Sequence, residues 1–216
     1  PEKQTAHIPM LTYGPDLNIS VADLPYERVI DIGKKLTYYS PYIVPFSYSS
    51  PFYQGNLWSG FSVRTFMRTG KRPATMVFVE KPEYLIKSVP SLTKIARIPA
   101  EVGRIEFKAF DSCDDFSIYA GLLALLKGLA LDETLLGRAI IPDTALHQLS
   151  AQKGFDNQEI FANAKQVLQA AEVALVDDPD VHLLTPLKVL LEKQETPAHR
   201  LIAVFNRLGS IEEALR

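Results

Sequence analysis

Two short stretches of this chain carry residues whose types and spacing could do chemistry. In Gly103-Arg104-Ile105-Glu106-Phe107-Lys108 an extended backbone would set Arg104, Glu106 and Lys108 on one face, with Ile105, Phe107 and Ala109 on the other. A carboxylate between two cations keeps its charge and can still bind a metal ion or an ammonium group. The second stretch is the Pro-broken loop from Ser49-Ser50-Pro51-Phe52 to Gly60, which leads into Arg64, Arg68, Lys71 and Arg72, four cations with no acid between them. Guanidinium forks suit phosphate and carboxylate oxygens. Together the two stretches hold what a site for phosphate, metal and a carboxylate substrate needs. Each also has a plainer alternative, a solvated sheet face with cross-strand ion pairs in the first case and a basic surface in water in the second.

Other candidates are weaker. Asn18 and Ser20 share one face of an alternating segment and could line a ligand in a sheet concavity, or simply face water. His199-Arg200, in the first turn of a late helix, could reach an anion; an exposed pair is the alternative. The four histidines show no metal-ligand spacing. Cys113 lies among acids that would raise its pKa, which argues against a nucleophile. No phosphate-binding glycine loop or nucleophile elbow occurs.

These residues need elements to position them. Residues 1–15 read as an irregular arm. Leu17, Ile19 and Val21 alternate with Asn18 and Ser20 as in a half-buried strand. A helix is predicted from about Pro25, capped by Asp23, with Pro41 and Pro45 enforcing a break or a start and a kink. Residues 47–60 read as a loop with aromatic anchors, 76–79 as a strand, 82–94 as a helix interrupted at Pro90, and 104–110 as a strand. Asp114 or Asp115 caps a helix to Leu131 that is apolar nearly all round, which predicts burial against the sheet. Helices follow over 144–154 and around Ile160 to Ala171, then from about Asp180, from Thr196-Pro197 to Gly209, and from Ser210. Strands first and helices last argue α+β, with a sheet-containing part over 16–131 and a helical part over 132–216.

Bulk properties narrow the class. Hydrophobic content of 47% is enough for a globular core. A net charge of −2 gives no sign of nucleic acid or of an anionic membrane as partner. No apolar run reaches the roughly 18 residues of a membrane span, the longest being broken by Lys127 and Gly128. One cysteine excludes an internal disulfide and fits a reducing compartment, so a soluble cytoplasmic chain is expected.

Taken in order, the pieces resemble the type 2 glutamate–cysteine ligase and carboxylate–amine ligase family. The likeness begins at Asp16-Leu17-Asn18-Ile19-Ser20-Val21 and continues at Ser50-Pro51-Phe52-Tyr53-Gln54-Gly55, similar to an S-S-P-F-x-x-G loop. Ser62-Val63-Arg64 is similar to S-x-R, and Gly103 to Lys108 to a G-x-[IV]-E-x-R strand. Glu195 to Arg200 resembles a G-x-x-A-x-R helix start. The resemblance implies a glutamine-synthetase-like fold, an antiparallel sheet backed by helices whose concave face binds Mg-ATP and glutamate. It implies an acyl phosphate at the γ-carboxylate, attacked by an amine, that of cysteine. Glu106 would be a catalytic Mg²⁺ ligand, and Arg64 a catalytic residue that, with Lys108, binds phosphate or carboxylate oxygens; Asn18 and Ser20 would line the nucleotide side, and Arg200 would bind substrate.

Three departures shape the expectation. Lys108 stands where the family has arginine, Asn18 and Ser20 where many members have histidines, and the family's opening G-x-E-x-E strand is absent from these residues. The start at Pro1 and a first regular element only near Asp16 add to the expectation of a C-terminal portion, inactive alone. The missing carboxylates would come from an upstream portion or from a homo-oligomer. The rival expectation is a degenerate, non-catalytic relative that binds a metabolite or a partner.

Overall fold

A computed structural model describes residues 14–21, 23–68, 73–86 and 91–216. It is α+β, as the order of elements predicts. Among the described residues four short strands form the main sheet: β1 (Leu17–Ile19), β4 (Thr75–Val79), β5 (Thr93–Ile95) and β6 (Ile105–Phe107), in the order β1-β6-β4-β5. The β1–β6 and β6–β4 pairs are antiparallel, but β4 and β5 are parallel. The sheet is therefore mixed, which corrects the expectation of an antiparallel one. The segment expected to be a helix over 82–94 is the reason. Among its described residues it holds a single turn of 3₁₀ helix at Pro82–Tyr84 and then β5, so it acts as the crossover that a parallel pair requires.

The long helix α1 (Tyr26–Ile43) packs on one sheet face with Ile32 and Leu36 fully buried. It runs through Pro41 rather than breaking there. Proline removes the N–H that the Thr37 carbonyl would accept from; Ser40 Oγ supplies a donor in its place at 2.7 Å. Asp23 does not cap it, and Pro25 occupies the cap position. The Ser–Pro loop contains a small hairpin, β2 (Phe52–Tyr53) and β3 (Asn56–Leu57), that the sequence reading leaves as loop. Its turn residues Gln54 and Gly55 both have positive φ, at 49° and 78°, the geometry that fits a two-residue turn to the strand twist. α2 (Val63–Arg68) follows and carries Arg64 and Arg68, while Lys71 and Arg72 lie outside the described residues.

α3 (Phe116–Leu131) starts at Asp115, whose carboxylate accepts from the Ser117 amide. Leu122, Leu125, Leu126 and Leu129 are fully buried. At its other end the buried Lys35 ammonium donates to the carbonyls of Leu129 and Asp132 and pairs with the Asp132 carboxylate at 3.3 Å, satisfying helix-end acceptors that lack intrahelical partners. The helical part comprises α4 (Thr144–Lys153), α5 (Gln158–Ala174), α6 (Thr185–Lys193), α7 (Pro197–Leu208) and α8 (Ile211–Ala214). Asp143, Asn157 and Ser210 cap α4, α5 and α8 through their side chains. No helix among the described residues is long and apolar enough to cross a membrane.

Candidate functional site

β6 sets Glu106 between Asn18 of β1 and Met76 of β4 in the sheet register. One Glu106 oxygen accepts from Lys108 Nζ, and the other lies 3.3 Å from an Arg104 nitrogen. The carboxylate is 7% exposed, so the cations screen it from water rather than leaving it in solvent. Lys108 also meets Asp16 at 3.4 Å, and Arg104 meets Glu101 at 3.3 Å while lying 4.1 Å above the Phe78 ring. The three residues expected on one face are there together, as a chain of alternating charge along the sheet.

Arg64 is placed differently. It is 2% exposed and donates to the Ala109 carbonyl at 2.9 Å and the Lys108 carbonyl at 3.3 Å, with the Asp111 carboxylate 3.5 Å away. Arg68, also buried, donates to the same Lys108 carbonyl. These guanidiniums hold the backbone where it leaves β6 and so fix where Lys108 begins. Gly14 passes over the pair so closely that a Cβ there would fall 2.1 Å from the Phe110 oxygen and 2.5 Å from an Arg64 nitrogen.

Asp111, 1% exposed, was not singled out from sequence, yet it joins the two stretches that were. It accepts from the Ser49 amide at 3.0 Å, from Ser50 Oγ at 2.6 Å and from Ser62 Oγ at 3.1 Å. The Ser-Ser-Pro loop is thereby tied to the end of β6. An acid just past the strand, after Ala109 and Phe110, was the only sequence signal.

Asn18 and Ser20 are exposed and line a cleft of about 600 Å³ between β1 and α3. Arg200 is elsewhere. It pairs with Asp114 and lines a separate cavity of about 160 Å³ with Ser49, Cys113 and Pro197. Its neighbour His199 completes the capping box of α7, accepting from the Thr196 amide at 2.9 Å, and stacks on Phe61. Burial pushes the Cys113 thiol above its ordinary pKa, in keeping with an unreactive thiol. His147, 3% exposed, lies 2.7 Å from Ser40 Oγ; burial, with nearby Arg68 in the same direction, lowers its pKa to about 4.

Magnesium does not fit these residues by themselves. Both Glu106 oxygens are engaged by cations, and among the described residues no three His, Cys, Asp or Glu side chains converge to hold a metal ion. A site on this face would need phosphate oxygens and further carboxylates from outside the described residues. The chain matches no protein-family model, and comparison with curated proteins finds no match.

Proposed function

We propose that the chain is a portion of an ATP-dependent carboxylate–amine ligase, of the glutamate–cysteine type, with the sheet face of Arg104, Glu106 and Lys108 as its share of the active site. The observation that carries this reading is the alternating row of charge, with a nearly buried carboxylate held between two cations. In such a ligase the γ-phosphoryl group of ATP passes to the γ-carboxylate of glutamate, giving ADP and an acyl phosphate. The amine nitrogen then attacks the acyl carbon, phosphate leaves with the bonding electron pair, and the amine loses its proton to solvent. The demand on the protein is to stabilise anionic oxygens while they rearrange. Lys108 and Arg104 supply the cations on this face, and Glu106 keeps them oriented toward it. Arg64 serves this reading as a positioning residue through the Lys108 and Ala109 carbonyls, not as a direct ligand of substrate.

A second reading is a non-catalytic binding module. The spending of Arg64 and Arg68 on backbone carbonyls favours it, because neither guanidinium then needs a phosphate to explain its place. Thermal unfolding with Mg-ATP and glutamate tests the first reading. Ligand binding to the folded state raises Tm, and Glu106→Gln should remove that rise while leaving the unliganded Tm within a few degrees. An unchanged Tm with both ligands, or a rise that survives Glu106→Gln, would leave the binding module standing.

A further inference from the structure

Three carboxylates share the cations of the charged sheet face, and they are held unequally. Glu106 is nearly buried, with Lys108 on one oxygen and Arg104 on the other. Glu101 accepts from the Arg97 amide at 2.8 Å as well as from Arg104 at 3.3 Å. The Asp16 carboxylate makes one ion pair among the described residues, to Lys108 Nζ at 3.4 Å, and its side chain is 45% exposed. It is the most loosely bound of the three. Strand register puts it there: Leu17 pairs with Phe107, so Asp16 falls opposite Lys108, on the face that Glu106 shares. The backbone that presents it is braced. Gly14 lies against the Arg64 guanidinium with no room for a Cβ, Pro15 has its φ locked by the ring, and the Asn18 side-chain amide donates to the Asp16 carbonyl at 3.2 Å.

We propose that Asp16 occupies, in cis, the place on Lys108 that the carboxylate or phosphate of a substrate takes, so that residues 14–16 form a self-inhibitory contact which an anionic ligand displaces. The inference rests on reading this face as the ligand site, and adds how that site is regulated. A carboxylate that is firmly presented but weakly held suits an internal competitor. It returns to the ammonium whenever the site is empty and yields to a ligand that makes more bonds, because an exposed ion pair is weak. The exchange leaves the rest of the row intact. An ammonium has three protons to donate, so Lys108 keeps Glu106 while Asp16 gives way to the incoming anion, and Arg104 still holds the second Glu106 oxygen. The released carboxylate turns into water that it already half faces. From there it still repels the bound anion, so competition and repulsion act in the same direction.

The test follows the Lys108 side-chain NMR signal of the labelled chain during two titrations, one with metal-free inorganic pyrophosphate and one with glutamate plus Mg-ATP. Pyrophosphate decides the inference. Asp16→Asn removes the competing charge and keeps the shape, so pyrophosphate should bind about three- to fivefold tighter than to the parent. In Lys108→Ala, read from the β6 backbone amides, binding should be weak, and adding Asp16→Asn should bring no comparable gain. That double-variant comparison separates competition for Lys108 from a general loss of negative charge. The inference falls if Asp16→Asn binds pyrophosphate no better than the parent, if the gain persists undiminished without Lys108, or if pyrophosphate moves the Lys108 signal in neither protein. Glutamate with Mg-ATP judges the ligase reading separately. Binding to neither protein overturns that reading even where pyrophosphate upholds the competition, and binding to both while pyrophosphate fails to distinguish them overturns the inference alone.

Discussion

Two cation-and-carboxylate clusters, one along the short strand β6 and one where the chain leaves it, are built for different ends. Around Arg64, Arg68 and Asp111 every charged group is at most 7% exposed and the guanidiniums are turned onto the protein's own carbonyls. Along Arg104, Glu106 and Lys108 the carboxylate is nearly buried, but the Arg104 and Lys108 side chains are each 26% exposed and pair with carboxylates at the surface. The same residue types hold the fold in one place and remain open to water in the other. Burial decides which, because a charge removed from water must find its partners within the protein.

The sharpest way to break this contrast is to remove a buried partner. Arg64→Met removes the guanidinium that pairs with buried Asp111 and that donates to the Ala109 carbonyl, so unfolding free energy should fall by about 3–5 kcal/mol in urea titration. A loss under about 1 kcal/mol would place Arg64 with the surface pairs.

A slightly smaller effect is expected from pH. His147 has a folded pKa of about 4 against an ordinary 6.5, so the unfolded chain binds a proton that the folded chain refuses. Its contribution is fully present above about pH 6.5, is lost as pH falls toward about 4, and levels off below, amounting to about 3 kcal/mol. His147→Gln should flatten that part of the stability–pH curve, measured by denaturant titration from pH 7 to pH 4. A curve that keeps its slope would assign the protons to other groups.

The smallest effect belongs to the exposed row. Lys108→Ala should cost about 1 kcal/mol or less, as surface ion pairs do, since its carbonyl, which Arg64 and Arg68 hold, remains in place. The ligand-induced rise in Tm should nevertheless shrink in this variant. A stability loss as large as that of Arg64→Met would erase the distinction between the clusters.

Much of the local structure was legible in the chain. The alternation at Leu17 to Val21 marked β1, and Asp115, Thr196 and Ser210 marked the starts of α3, α7 and α8. Reading failed for three different reasons. Pro41 does not end α1 because the side chain of Ser40 serves the carbonyl that proline leaves free. The segment before Ile95 is a strand because β4 offers it an edge, a fact invisible in residues 82–94 themselves. The hairpin at Gln54-Gly55 had a glycine as its only signal, with glutamine beside it in an unusual left-handed conformation.

By itself, the sequence determined the α+β class, most helix starts and the shared face of Arg104, Glu106 and Lys108, because caps and strand alternation are set by residues close together in the chain. Only the tertiary structure decided that Arg64 would be enclosed and Lys108 left open, that Asp111 would tie the Ser-Ser-Pro loop to β6, and that α3 would leave Leu123 and Leu131 exposed. Those outcomes depend on burial and on partners such as Asp111 with Ser50, 61 residues apart, and Lys35 with Asp132, 97 apart. Spacing along the chain carries no record of which side of a charged residue the core will close over.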